Sequence, residues 1–312
     1  MGTGFCVVGS VNMDIVTRAA RFPLVGETIT GDSLRFMPGG KGANQAVALA
    51  RLGGEVRLVG AIGDDWLGRQ YAEVFCRERI ATDGLAVLKG RGTGTASITV
   101  SRAGENEIIV VPAANALVTP EYVRSRAADI ERSAFVLLQL EIPLESVIEA
   151  ARIARNAGAY AVLDPAPAPA NPLPDELYRL IDAITPNETE AAILSGENTD
   201  SEEGIRKAAD TLLARGVPLV IVKAGSRGAY YSDGKAFARV ETFSVDTVDT
   251  VAAGDSFNAG FAFARSIGYG VPRAIRYANA VAAISTTKEG AQGAMPTRAE
   301  LDAFVSERAI DA

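Results

Sequence analysis

The alternation of apolar and polar positions predicts strands and helices in turn over most of the chain. Phe5–Gly9 is a short β-rich run of the size of a buried strand. Ser10–Asp14 then reads as a polar turn. From residue 135 the rhythm is regular. Phe135–Leu140 predicts a strand ending at Glu141, Leu144–Ala157 a helix, and Ala159–Leu163 a strand ending at Asp164. Ala183–Thr185 predicts a strand that runs into Pro186-Asn187-Glu188-Thr189-Glu190, and Leu219–Val222 one that runs into Lys223. Pro165–Pro174 reads as a rigid loop. Phe257, Phe261 and Ala264 recur at helical spacing, so a helix starts near Ala253. Pro272–Thr286 and Arg298–Arg308 complete the predicted helices. Such alternation predicts an α/β/α domain around a mostly parallel sheet, with strand-end polar residues gathered on one edge.

Two blocks break the rhythm. Thr28–Phe36 is extended, and Thr93–Val111 contains Ser97–Ser101 and Ile108–Val111 joined by an Arg102–Asn106 turn. They read as the only clearly antiparallel β material and as a small lid sheet. The expected domains are therefore 1–11, 38–92 and 113–312 for the main body, and 12–37 with 93–112 for the lid. Between the two blocks, Gly39-Gly40-Lys41-Gly42-Ala43-Asn44-Gln45 is a glycine turn feeding a helix over Ala46–Leu52.

Composition narrows the chemistry. At 312 residues, 48% hydrophobic and 22% charged, the chain has a soluble globular balance. Its formal charge of −7 argues against nucleic acid and anionic membranes as partners. It has no histidine, which excludes Ser-His-Asp catalysis and His-based zinc sites. A base near neutral pH is then expected to be a carboxylate. Cys6 and Cys76 match no metal or redox spacing and fit a reducing cytoplasm. No secretion signal or membrane-length apolar run is present, and Met1-Gly2 lacks the Ser or Thr at position 6 that an acylation signal needs.

The richest stretch is Asp249-Thr-Val-Ala-Ala-Gly-Asp255. Small residues Ala252, Ala253 and Gly254 at a helix start let an anion approach free amides, and Asp255 beside them is placed to take a proton. An equally simple reading makes Asp255 the helix cap. The glycine turn fails the Walker A pattern because Gly42 follows Lys41 where Ser or Thr is required. Lys41 and Asn44 can offer donors to a polyhydroxylated ligand, or Lys41 can be a solvated helix-start lysine. Glu141, Asp164, Asn187 and Glu190 at predicted strand ends would share one sheet edge with Asp255; each alone reads as a cap and together they read as a site, while Asn12 and Asp14 read either as turn residues or as residues of a ligand edge.

These motifs resemble the ribokinase group of the PfkB-type carbohydrate kinases. The resemblance is carried by Gly9-Ser-Val-Asn-Met-Asp14, Gly39-Gly-Lys-Gly-Ala-Asn-Gln-Ala46, Pro186-Asn-Glu-Thr-Glu190, Gly225-Ser-Arg-Gly228 and Asp249–Asp255, spread along nearly the whole chain. It implies an ATP-dependent kinase acting on the 5-hydroxyl of D-ribose. Asp255 would be the base, and the backbone of Ala252, Ala253 and Gly254 would hold the transferred phosphoryl group. Asn12, Asp14, Gly40, Lys41, Asn44 and Glu141 would bind the sugar. Asn187 and Glu190 would organise Mg²⁺ and phosphates through water. Lys223, Gly225, Ser226 and Gly228 would form the nucleotide loop, with Asn279 near adenine. Asp249, Val251, Ser285, Lys288, Gly290 and Ala294 would bind an activating K⁺. The resemblance also implies a homodimer formed through the lid, with Ile98, Val100 and Ile109 facing away from the sugar. The sequence departs from the common pattern at Ala252, at Ala113-Ala114-Asn115, and at Ala294, where glycine, glycine and serine respectively are more usual. Alternatives within this class are kinases for deoxyribose, another pentose or a nucleoside. A non-catalytic sugar-binding protein on the same fold is the alternative from another class.

Overall fold

Successive residues of the first strand point into two different cores, and this alternation builds the layers. The computed structural model describes residues 4–308; Met1-Gly2 lies outside them. The strands are β1 (Phe5–Val8), β2 (Asn12–Ala19), β3 (Gly31–Gly39), β4 (Val56–Gly63), β5 (Leu85–Leu88), β6 (Gly94–Ser101), β7 (Asn106–Val111), β8 (Phe135–Leu138), β9 (Tyr160–Leu163), β10 (Ala183–Ile184), β11 (Val220–Lys223), β12 (Ala229–Ser232) and β13 (Phe237–Val240). The helices are α1 (Lys41–Arg51), α2 (Trp66–Arg77), α3 (Pro120–Ser125), α4 (Ala127–Glu131), α5 (Leu144–Ala157), α6 (Asp175–Leu180), α7 (Glu188–Ser195), α8 (Glu202–Ala214), α9 (Ala253–Ser266), α10 (Val271–Thr286) and α11 (Arg298–Glu307).

The main sheet has the order β13-β12-β11-β10-β9-β8-β1-β4-β5 among the described residues, parallel from β11 to β5. On one face Phe5, Val7, Leu58, Leu137 and Val162 pack with α1, α2, α9, α10 and α11. On the other, Cys6, Val8, Val59, Val136 and Leu163 pack with α3 to α8. A period of two along each strand thus feeds two cores, which is the three-layer α/β/α arrangement. No helix of the described residues is long and apolar enough to cross a membrane.

A second sheet, order β3-β2-β6-β7, forms the lid. Several expectations are corrected here. Ser10–Asp14 is not a turn throughout, because β2 begins at Asn12. Asp14 alternates with the apolar Met13 and Ile15, and the polar positions hid a strand whose one face looks into the site. The lid is not wholly antiparallel: β2 pairs with β6 in parallel and with β3 in antiparallel fashion. Nor is it the only antiparallel material, since β11, β12 and β13 form an antiparallel meander on the edge of the main sheet. The helix after the glycine turn begins at Lys41, five residues earlier than expected, and its residues from Gly42 to Leu49 are buried in the protein core. Finally, Ile98 and Val100 are in register with Val16 and Arg18, on the same face as Asp14. Only Ile109 of the three faces away, in register with Ser97 and through it with Ile15 and Phe36. Side chains alternate along a strand, so Ile98 and Ile109 cannot share a face in this pairing.

Candidate active site

β1 lies between β8 and β4, so successive connections leave it in opposite directions and open a crevice at its carboxyl end. Glu141, three residues past β8, fills that crevice. Its Oε2 accepts from the Ser10 hydroxyl, from Lys41 N–H at 3.0 Å and from Asn12 Nδ2 at 3.4 Å. One carboxylate thereby ties together the end of β1, the first lid strand and the start of α1. Asn115 fixes the orientation of the Asn12 amide: its Nδ2 donates to Asn12 Oδ1 at 2.7 Å, and Val11 N–H donates to its Oδ1 at 2.9 Å.

Asp255 sits in the first turn of α9 and is 4% exposed. No side chain caps this helix, so the capping reading of Asp255 is not the one the structure takes. Its Oδ2 accepts from Asn44 Nδ2 at 2.9 Å and its Oδ1 from Gln45 Nε2 at 3.1 Å. The first helical bond runs from Ser256 N–H to Ala252 O, which leaves the amides of Gly254 and Asp255 ahead of the ladder. Burial raises the Asp255 carboxyl to about 6; Lys41 opposes the rise and Asp164 adds to it. Asp14 is raised to about 7 by burial, with Glu141 and Asp255 as like-charged neighbours. Burial works against the charge of Lys41, but the carboxylates of Asp255, Asp164, Glu141 and Glu190 outweigh it and hold the ammonium above its usual value.

A cavity of about 880 Å³ opens from Asp255 across the sheet edge, a size suited to a nucleotide. Lys41, Asn187, Glu190, Lys223, Gly225, Ser226, Gly228, Asn279 and the 252–255 turn all line it. Asn187 and Glu190 form a capping box at the start of α7, with Asn187 N–H donating to Glu190 Oε2 at 2.8 Å. Burial raises the Glu190 carboxyl, against the pull of Lys223. One oxygen of Glu190 takes no part in the cap and remains available to a hydrated cation. Asn279 donates to the carbonyls of Val240 and Glu241, both at 3.1 Å.

The expected residues therefore fall into three groups. Asn12, Asp14, Gly40, Asn44 and Glu141 cluster on the lid side of Asp255, outside the cavity lining. The residues expected to form the nucleotide loop line the cavity. Asp249, Val251, Ser285, Lys288, Gly290 and Ala294 form a separate group behind the 252–255 turn. There Asp249 accepts from Val251 N–H at 3.0 Å and from Gly290 N–H at 2.9 Å, while Val248 N–H donates to Thr286 O at 2.7 Å. These bonds draw the 248–251 loop onto the carboxyl end of α10, whose dipole favours a cation. Lys288 turns away to Glu300, Ser285 bonds the Ala282 carbonyl, and Ala294 has no donor atom on its side chain. A monovalent cation would therefore rest on Asp249 and backbone carbonyls.

Ser10, Gln45, Tyr71, Asn115, Gln139 and Gln292 were not singled out by sequence reasoning, yet they supply much of the polar framework. Ser10, Asn115 and Gln45 lay inside stretches the sequence reading quoted, whereas Tyr71, Gln139 and Gln292 carried no signal.

Comparison with known proteins agrees with the fold. The profile of the pfkB family carbohydrate kinases matches residues 3–298. A ribokinase of Haemophilus influenzae is 42% identical over 299 residues, covering 96% of this chain and 97% of its own. A deoxyribokinase of Salmonella typhi is 33% identical over 300 residues, covering 96% and 98%. The structure of Arabidopsis thaliana ribokinase complexed with ribose and ATP matches with a TM-score of 0.93 at 34% identity, covering 98% of this chain and 99% of that one. Fold and site thus define a sugar kinase built as a three-layer α/β/α domain with a β lid. The chain belongs to the pfkB family of carbohydrate kinases.

Proposed function

We propose that this protein transfers the terminal phosphoryl group of ATP to the 5-hydroxyl of D-ribose. The observation that carries the reading is the position of Asp255. Its buried, raised carboxylate lies between the lid-side polar cluster and a nucleotide-sized cavity, at the start of a helix. The similarity to the ribose- and ATP-bound plant enzyme supports the same pair of substrates. Asn12, Asp14, Gly40, Lys41, Asn44 and Glu141 hold the sugar with its primary hydroxyl toward Asp255. Asp255 removes the hydroxyl proton as that oxygen attacks the terminal phosphorus, and the bond to ADP breaks. The 252–254 turn holds the charge on the transferred group through the free amides of Gly254 and Asp255, since the Ala253 N–H donates to the Thr250 carbonyl at 3.2 Å. Lys223, Gly225, Ser226 and Gly228 hold the nucleotide, with Asn279 near the adenine. Glu190 and Asn187 would orient hydrated Mg²⁺, which would supply charge neutralisation between the phosphates. K⁺ on Asp249 and its loop, with carbonyls of Val251, Ser285, Lys288, Gly290 and Ala294, would stiffen the anion-holding turn. Both cysteines are unpaired, as befits a cytoplasmic enzyme.

The test is phosphorylation of a panel of pentoses and nucleosides at saturating ATP, in K⁺ and in Na⁺ at equal ionic strength. Ribose should be the best substrate, K⁺ should give the higher rate, and Asp249→Ala should abolish the difference between salts. A preference for deoxyribose or a nucleoside would reassign the substrate, and ATP turnover indifferent to every sugar would make the protein a sensor. Equal rates in both salts would remove the cation from the mechanism.

A homodimer through the lid is part of this reading. Leu34, Phe36, Ile109 and Val111 share the lid face that points away from Asp14, and each is about half exposed or more. β3 and β7 are unpaired edges. A second copy of the lid would cover this apolar face in a twofold arrangement. Sedimentation at micromolar concentration should give a dimer, Ile109→Lys should give a monomer, and ribose should slow hydrogen exchange in the lid strands. A wild-type monomer whose lid exchange ignores ribose would sink both clasp and cover.

A further inference from the structure

Gln45 stands next to Asn44 on α1 and is 1% exposed. Its Nε2 donates to Asp255 Oδ1 at 3.1 Å and to Asp164 Oδ2 at 3.1 Å. An amide nitrogen carries two hydrogens, so both bonds can form at once. Its Oε1 accepts from Gln139 Nε2 at 2.7 Å, and this bond decides which end of the amide faces the carboxylates. The other oxygen of Asp164 accepts from Lys223 Nζ at 2.8 Å, in an ion pair whose carboxylate is 2% exposed. Two buried carboxylates on different elements therefore share one amide group. One of them, Asp255, points at the place of reaction, and the other holds the lysine at the head of the nucleotide loop.

Resting on the reading of Asp255 as the base, we propose that Gln45 and Asp164 are positioning residues for it. Gln45 clamps the Asp255 carboxylate by its Oδ1, and Asp164 sets a second negative charge against it while anchoring Lys223. A purely structural core position has no use for this arrangement. Burying two carboxylates near each other is unfavourable, and apolar residues of similar shape would fill the space at lower free energy. The gain lies in the base: a like charge makes it a better proton acceptor, and a directed donor keeps it from turning away. The other charged groups facing this pair are Lys41 on α1, Asp14 on β2, Glu141 after β8 and Glu190 on α7. Lys41 counters the negative charge, and the three carboxylates reinforce it.

The two roles have opposite signs, and that makes them separable. Asp164→Asn keeps the shape and the acceptor for Gln45 but removes a negative charge, so Asp255 should ionise more readily. Gln45→Met keeps the length but removes the donor, so Asp255 should ionise less readily. The measurement is the pH dependence of kcat/KM for ribose. Its acidic limb should move to lower pH in Asp164→Asn and to higher pH in Gln45→Met, each by about 0.5–1 unit, at the low end of typical shifts from a neighbouring charge or hydrogen bond. General damage to the fold lowers the whole profile and cannot move the limb in opposite directions. An unmoved limb in Asp164→Asn removes Asp164 from this role, and an unmoved one in Gln45→Met removes Gln45. Should Gln45→Met fail to fold, the isosteric Asp164→Asn decides the charge effect alone. A wild-type protein that does not phosphorylate ribose overturns the reading of the site instead; active wild type with coincident limbs overturns only this inference.

Discussion

Asp255→Asn is expected to lower kcat by about 10²–10⁴, the usual effect of losing a general base. Asparagine keeps the size of the side chain and its place in the first turn of α9, but it cannot accept the proton of the sugar hydroxyl. The sugar-side donors and acceptors on Asn12, Asp14 and Glu141 are untouched, so ribose affinity by calorimetry should change little. In the wild-type enzyme the base works only when ionised. Its carboxyl is raised by burial to about 6, so the rate should fall about tenfold per pH unit below that point and level off above it. The same shift bears on folding with the opposite sense. A carboxyl raised in the folded state adds stability only when protonated, and that contribution is lost as pH rises through about 6. The empty site is thus least comfortable at the pH where it is most active, a common feature of functional sites. A variant keeping more than a tenth of wild-type kcat would remove Asp255 from the role of base.

Much of this machinery was legible because its residues are clustered in sequence. The 249–255 and 39–45 stretches each place small residues and polar groups side by side, and local spacing is what a sequence shows best. β2 was not legible. Asn12 and Asp14 look like turn residues until β2 turns one of its faces toward the site. The Gln139–Gln45–Asp164 contacts were invisible for another reason. They join residues about 94 and 119 positions apart, and no local pattern encodes such a pairing. Two departures from the common family pattern do have a physical reading now. Ala113 and Ala252 take left-handed φ values of 45° and 57°. Glycine adopts that region freely, and an alanine there costs roughly 1 kcal/mol or slightly more. Ala252 accepts that strain at the position just before the first turn of α9.

Gly40→Ala should be strongly damaging for so small a substitution. Gly40 caps α1 with φ 84° and ψ 126°, a conformation that L residues rarely adopt. A Cβ there would lie 2.5 Å from Asn12 N and 3.2 Å from Val11 Cα and C. These are backbone atoms, so no side chain can swing aside. Strain of about 1–3 kcal/mol for the backbone and a similar amount for the clash add to roughly 2–6 kcal/mol. At about 2 °C per kcal/mol for a chain of this size, Tm should fall by about 4–12 °C. The displaced segment carries Asn12 and Asp14, and the helix pushed from it carries Lys41 and Asn44. KM for ribose should accordingly rise at least about tenfold, a loss of about 1.4 kcal/mol, with kcat less affected. Gly53→Ala is the control. Gly53 also has positive φ, 94°, but a Cβ there meets nothing within 4 Å. It should lose only the conformational part and leave ribose kinetics alone. Equal melting temperatures for the two variants would show that positive φ, and not the close approach of α1 to the β1–β2 crossover, is what Gly40 provides. An unchanged KM in Gly40→Ala would detach this crossover from sugar binding altogether.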